Sequence, residues 1–215
     1  MKHEPQVSPG KGTPVLGLTG GIASGKSTIS GLLAKRGAAI IDADRIGHEV
    51  IRPGGEAYAE VVAAFGEDIL GADGTIARPK LGAIVFRDPA MLARLNAISH
   101  PRMAERMAGR IAELRRADPC PPLIVLDAAI LFEARWEGLC DVVWTVETEA
   151  DTAVERLMAR NGFTRDEARG RIASQLNNAE RAQRAHRVIP NHGDLAALER
   201  EVEARWKDLP AATPA

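Results

Sequence analysis

The sequence is short of most features that build structure outside an ordinary core. Among 215 residues there are two cysteines, Cys120 and Cys140, and neither belongs to a Cys-x-x-Cys pair or a Cys/His cluster of zinc spacing. A disulfide scaffold and a zinc module are therefore excluded, and both residues read as small buried or half-buried thiols. Aromatic residues make up 4% of the chain, too few for the stacking platforms that bind single-stranded nucleic acid. An excess of charge is missing too: 28 Lys and Arg oppose 29 Asp and Glu, for a formal net charge of −1. No global field then points to nucleic acid. No window reaches the ~18 apolar residues of a membrane span. The polar start MKHEPQVSPGKGTP has no apolar stretch of the kind a secretory signal carries. The expectation is a soluble cytoplasmic protein with neither nucleic acid nor membrane as partner.

What is present is a globular composition, 45% hydrophobic and 27% charged, which excludes a wholly disordered chain. The length suits one or two domains of roughly 100–200 residues each. Residues 1–13, with Pro5, Pro9, Gly10 and Gly12, read as a disordered tail. Val15–Thr19 is a short apolar run ending in glycines, which predicts a buried strand. Ser27–Lys35 carries Ile29, Leu32 and Leu33 at helical spacing and stops at Gly37. Ala38–Ile41 is a second apolar run. Strand, Gly-rich turn, helix and strand make a βαβ unit, and the sheet should be parallel.

Helical patterns then dominate, around Arg45–Ile51, Ala57–Phe65, Pro89–Ile98 and Arg102–Arg116, broken by turn signals at Pro53-Gly54-Gly55 and Gly71-Ala72-Asp73-Gly74. Apolar runs return at Leu123–Leu126, Asp141–Val146 and Val188-Ile189, and an amphipathic helix over Leu195–Trp206 closes the chain. The predicted fold is α/β: a P-loop NTPase fold with a parallel sheet of about five strands flanked by helices, a helical substrate-binding insertion and a lid. The core is assigned to 14–44, 118–155 and 186–210, the insertion to 45–117 and the lid to 156–185.

The decisive string is Gly20-Gly21-Ile22-Ala23-Ser24-Gly25-Lys26-Ser27, which fits GxxxxGK[ST] between a predicted strand and a predicted helix. Its glycines let successive amides point at one phosphate, and the helix N-terminus adds positive potential. Lys26 is expected on the β- and γ-phosphates of ATP. Ser27 is expected on Mg²⁺, and Thr28 on the α-phosphate side.

Carboxylates follow two of the strands, where open α/β sheets put their chemistry. Asp44 is the candidate base that orients an attacking hydroxyl. The competing reading makes Asp44 the cap of the following helix. Asp42 is expected to face Mg²⁺-bound water or to cap that helix. Asp127 occupies a Walker-B-like position suited to Mg²⁺, and Glu133 reads as a weaker positioning group. Arg156, Arg160, Arg165, Arg169 and Arg171 lie on two helical stretches separated by Gly162, and Thr164 with Glu167 forms a capping-box pattern. A mobile lid would bring such guanidiniums onto the transferring phosphoryl, with Arg160 the most useful. The alternative is a solvated charged face.

These residues resemble one family. Gly17-Leu18-Thr19-Gly20 through Thr28, followed by Ile41-Asp42-Ala43-Asp44, is similar to dephospho-coenzyme A kinases. The likeness continues at Arg78-Pro79-Lys80-Leu81-Gly82, Val85-Phe86, Ile98-Ser99-His100-Pro101, Leu131-Phe132-Glu133, Arg171-Ile172-Ala173-Ser174-Gln175 and Val188-Ile189-Pro190-Asn191-His192-Gly193. It spans about residues 15–205. The resemblance implies that ATP phosphorylates the ribose 3′-hydroxyl of dephospho-CoA, the last step of coenzyme A synthesis. It implies Asp44 as the base, Lys26 as the phosphate lysine, Arg160 as the lid arginine, and a substrate-side role for His100 and Arg78. The helical insertion would hold the CoA moiety. The partners would be ATP and dephospho-CoA, with the chain a monomer or weak homo-oligomer.

Two positions depart from the pattern. Ala129-Ile130 stands where a proline is expected, and Ala185-His186 where Ala-Asp is expected. From the residues alone, another small-molecule or nucleoside monophosphate kinase of this fold stays open. A nucleotide-dependent switch is disfavoured, because no base-reading Asn-Lys-x-Asp string is present.

Overall fold

A computed structural model describes residues 12–209. Residues 1–11 of the expected tail lie outside the described residues. Thr13, assigned to the same tail, is buried, and its hydroxyl donates to the Pro121 carbonyl.

The elements run in the order β1 (Val15–Gly20), α1 (Lys26–Ala34), β2 (Ala39–Asp42), α2 (Ala43–Val50), α3 (Tyr58–Phe65), α4 (Arg78–Val85), α5 (Pro89–Arg115), β3 (Ile124–Asp127), β4 (Val142–Glu147), α6 (Ala150–Asn161), α7 (Arg165–Ala173), α8 (Asn178–Arg184), β5 (Arg187–Pro190) and α9 (Leu195–Lys207). Among the described residues the strands form a five-stranded parallel sheet in the order β2-β3-β1-β4-β5. The apolar β1 is central, with Val15 to Leu18 beside Ile124 to Asp127 on one side and Leu16 to Gly20 beside Val142 to Val146 on the other. Strands covered on both faces must be apolar throughout, and all six residues of β1 are buried.

The chain divides into two compact units. The first, up to Ile41 and from Ile111 onward, carries the sheet. Its core joins Leu16, Leu18, Ile29, Leu33, Val125, Trp144, Val146, Ile189, Leu198 and Val202, with α1 and α9 supplying one covering layer. Trp144 and Trp136 are buried, as core tryptophans should be.

The second unit is Asp42–Arg110. In it, Arg106 of α5 pairs with Glu49 of α2 at 3.3 Å and with Glu56 at 2.6 Å. Met103 packs under Gly47. The Gly71–Gly74 turn closes on a bridge between Leu70 and Ile76, and Asp73 accepts from the Thr75 amide and hydroxyl.

The helical insertion differs from expectation in three places. The two helices predicted around Pro89–Ile98 and Arg102–Arg116 are one helix, α5, with Pro101 inside it. Proline removes one backbone donor, and the apolar face of Ile98, Met103, Met107 and Ile111 runs on through it. His100 is therefore a half-buried helical residue rather than one between helices, and burial lowers its pKa. Second, α4 was not expected. Pro79 in its first turn is a start signal, but Gly82 interrupts a short pattern in which only Leu81 and Val85 are buried. Third, α2 begins at Ala43, two residues ahead of the expected Arg45, because Asp42 caps it.

Candidate active site

β1 ends at Gly20 and α1 begins at Lys26, so GxxxxGK[ST] is a strand-to-helix loop. Gly20 and Gly25 have φ of +159° and +97°, and a Cβ on Gly25 would overlap Asn191 Nδ2. Ala23 also has positive φ, at +61°. No side chain caps α1. The first amides of a helix have no intrahelical partner, and anions bind there through those amides and the helix dipole.

Three side chains from separate parts of the chain fix backbone groups of three consecutive loop residues. Gln175 Oε1, after α7, accepts from the Ile22 amide at 2.8 Å. Arg156 of α6 donates to the Ala23 carbonyl at 3.2 Å. Asn191, just after β5, donates through Nδ2 to the Ser24 carbonyl at 2.7 Å. Asn191 is itself held, since its carbonyl accepts from Thr148 Oγ1 at 2.9 Å and its amide donates to the Glu147 carbonyl at 2.7 Å. The side chains of Ile22 and Ala23 pack into an apolar cluster of Val154 and Leu157 from α6, Ala168 and Ile172 from α7, and Phe163 from the link between them. With these groups engaged elsewhere, the amides of Lys26 and Ser27 are left for a phosphate.

Lys26 Nζ forms an ion pair with Asp127 Oδ1 at the end of β3. Both expected residues thus meet in one place. The carboxylate neutralises an ammonium that a nucleotide phosphate would otherwise neutralise. Ser27 and Thr28 are exposed in the first turn of α1.

Asp44 and Asp42 divide two roles that sequence reading left open. Asp42 Oδ1 accepts from the amides of Asp44 and Arg45 at 2.9 and 3.2 Å, so Asp42 is the cap of α2. The carboxylate of Asp44 is exposed and has no partner among the described residues, which leaves it for other chemistry. Arg78 is exposed in the first turn of α4, and with Asp44 and His100 it belongs to the second unit.

Among the five arginines expected on a lid, it is Arg156 that bonds the phosphate loop. Arg160 is exposed on the last turn of α6, where Nε donates to Asn161 Oδ1 at 2.9 Å. Gly162 ends α6 in the left-handed conformation, and Thr164 with Glu167 starts α7 as a capping box. Arg171 lies over the Phe163 ring at 4.3 Å.

A cavity of about 270 Å³ opens beside the first half of the loop, lined by Gly21, Ile22, Thr148, Gln175, Asn178 and Arg181 among others. Sequence reading missed Gln175, Asn191 and Arg181 as site residues. The first two fell inside quoted motifs but carry no charge to draw attention. Arg181 looked like one more surface arginine, yet it is 1% exposed.

His186 Nδ1 accepts from the Val143 amide at 3.0 Å, and its own amide donates to the Val143 carbonyl. The side chain serves as an extra rung between β5 and β4. An aspartate Oδ1 sits at the same bond distance from the backbone as this Nδ1, so the expected aspartate and this histidine can do the same structural work.

Comparison with known proteins shows the family. The family model for dephospho-CoA kinase matches residues 14–197. The chain belongs to the dephospho-CoA kinase family. It is 48% identical over 195 residues to the dephospho-CoA kinase of Moorella thermoacetica, covering 91% of this chain and 92% of that protein. It is 46% identical over 192 residues to that of Geobacter sulfurreducens, covering 89% and 96%. A solved structure from Thermus thermophilus superposes with a TM-score of 0.77 at 32% identity, covering 93% of this chain and all of that one. The chain is therefore an enzyme, a kinase that uses ATP, and its family's reaction is the conversion of dephospho-CoA to CoA at the end of coenzyme A synthesis. No helix among the described residues is long and apolar enough to cross a membrane.

Proposed function

We propose that this chain carries out that reaction by in-line transfer of the ATP γ-phosphoryl to the ribose 3′-hydroxyl of dephospho-CoA, with Asp44 as the base. The observation that carries the reading is the braced phosphate loop, whose uncapped helix and Lys26–Asp127 pair form a site waiting for phosphate. Nucleotide phosphates replace Asp127 as the partner of Lys26. The amides of Gly25, Lys26 and Ser27 hold the phosphates in a fixed position, which is most of what phosphoryl transfer requires of a protein.

The donors fit Mg²⁺, a hard ion that takes oxygen ligands from one or two carboxylates and the substrate phosphates. The Asp127 carboxylate, freed from Lys26, and the Ser27 hydroxyl would hold it. When bound it supplies charge neutralisation at the β- and γ-phosphates.

Asp44 orients the 3′-hydroxyl and accepts its proton. A carboxylate there suits a hydroxyl acceptor, whereas an acceptor that is itself a phosphate would repel it. Arg78 and His100 bind the acceptor, the 45–117 region takes the CoA moiety, and the 156–185 region closes as a lid that brings in Arg160. The enzyme works in the cytoplasm as a monomer or weak homo-oligomer.

The test is ATP consumption with Mg²⁺ against dephospho-CoA and a panel of nucleoside monophosphates. Consumption with dephospho-CoA alone, yielding CoA, is the expected result, and turnover only with a monophosphate overturns the acceptor. Asp44→Asn keeps the shape and removes the base. It should lower kcat by about 10²–10⁴-fold with ATP affinity unchanged, and an unchanged kcat removes Asp44 from the mechanism.

A further inference from the structure

Arg181, on α8, is 1% exposed and pairs with one carboxylate among the described residues. Nη2 donates to Glu133 Oε1 at 3.1 Å and Nη1 donates to the Leu176 carbonyl, while Nε is buried with no partner among the described residues. An arginine has five N–H donors, and burying its charge is costly unless those donors are used. Glu133 answers the charge with a single contact, and burial still lowers the arginine pKa against that pull.

The surroundings say what would complete it. Arg181 lines the 270 Å³ cavity that opens along the phosphate loop. A Cβ built on Gly21 would lie 3.6 Å from Asn178 Oδ1, 3.7 Å from Arg181 Nη1 and 3.8 Å from Gln175 Oε1. The guanidinium thus stands beside the second residue of the loop. Its anchor, Glu133, is on the segment that follows β3, the strand that ends in Asp127, and Asp127 holds Lys26. Thr19 at the end of β1 donates to the Ala129 carbonyl of that same segment at 3.2 Å. Two cations, Lys26 and Arg181, are therefore parked on carboxylates six positions apart, one ending β3 and one on the segment after it, beside the phosphate loop.

We propose that Arg181 is a catalytic residue that binds the γ-phosphoryl group of the bound nucleotide, with Glu133 holding the guanidinium in place until the nucleotide arrives. This rests on the kinase reading above and adds a contact to it. The orphaned Nε and the Nη1 edge take the phosphoryl oxygens that carry the spreading charge during transfer, and Glu133 keeps the arginine from collapsing onto the empty loop. Loss of one donor to a developing anion costs about 10²–10³-fold in kcat.

The test separates a phosphoryl contact from a structural bolt by comparing two nucleotides that differ only in that group. Affinities for ADP and for the β,γ-imido analogue of ATP are measured by calorimetry with Mg²⁺ and without any acceptor. Arg181→Met should weaken the triphosphate at least 10-fold and leave ADP within about 2-fold, with kcat toward dephospho-CoA down 10²–10³-fold. Arg181→Lys, which keeps the charge without the fork, should recover part of both. Equal weakening of the two nucleotides, or no weakening, overturns the proposal. If Arg181→Met fails to fold, Glu133→Gln carries the test, since it leaves the arginine and removes its competitor. The triphosphate should then bind more tightly with ADP unchanged, and an equal change in both nucleotides overturns the proposal. Because no acceptor is present in the binding measurement, failure of the wild type to turn over dephospho-CoA counts against the acceptor and leaves this ratio standing.

Discussion

Gly25→Ala is the sharpest probe of how the phosphate loop is held. Two separate costs arise. At φ +97° an alanine leaves every comfortable region for a side-chain-bearing residue, at about 1–3 kcal/mol. Its Cβ also overlaps Asn191 Nδ2, so the amide must leave the Ser24 carbonyl and strand a buried acceptor, at about 1–3 kcal/mol more. The loss of roughly 2–6 kcal/mol corresponds to a Tm lower by about 5–20 °C for a chain of this size. Asn191→Ala removes the amide in advance. In that background Gly25→Ala should cost only the backbone strain, so the double mutant should be at least about 1 kcal/mol more stable than additivity allows. Thermal or denaturant unfolding of the four proteins measures this directly. Additive losses, within about 0.5 kcal/mol, would refute the claim that Gly25 is required by the Asn191 brace.

Other outcomes follow from the same geometry. His186 is held below its usual pKa first by burial and then by the Arg187 charge, so the unfolded chain takes up the proton first. Its contribution to stability is complete above about pH 6.5 and falls away as the pH drops below that value. His186→Asn, which keeps an acceptor for the Val143 amide but cannot titrate, should have a smaller difference in Tm between pH 7.5 and pH 5.5 than the wild type. An unchanged difference would show that the rung does not sense protons. Burial, then the charges of Asp141 and Glu137, pushes the Cys140 thiol up to about 12. Iodoacetamide at pH 8 should therefore label the exposed Cys120 alone, read as a single mass adduct, and labelling of the half-buried Cys140 in the folded protein would contradict its raised pKa.

The parts of the fold that could be read in advance are those that local chemistry dictates. Val15–Thr19, Leu123–Leu126 and Asp141–Val146 are apolar without alternation because their strands are covered on both faces, and all became strands of the sheet. The 26–34 helix and the glycines around it were readable for the same reason. The errors have equally local causes. Pro101 suggests a break only if the apolar face also breaks, and here it continues through Ile98, Met103 and Met107. In α4 the periodic signal was two residues long, too weak to outweigh a central glycine.

The candidate site divides along a similar line. Lys26, Ser27, Asp44 and Asp127 stand out in the sequence because each sits at a fixed offset from a strand end or a glycine. Gln175 and Asn191 brace the loop from 150 or more positions away, through hydrogen bonds that exist only after β4, α7 and β5 are in place, and Arg181 comes beside Gly21 only once α8 is packed. No local pattern distinguishes Arg181 from Arg184 three residues later. Burial does: Arg181 is enclosed with an orphaned donor, while Arg184 is exposed over the Phe132 ring and paired with Glu137. The residues proposed to meet the nucleotide are thus marked locally. The braces that hold the loop rigid enough to act are written across the whole sheet-bearing unit, which is why Gly25 and Asn191, far apart in sequence, should fail as a pair and not as two independent residues.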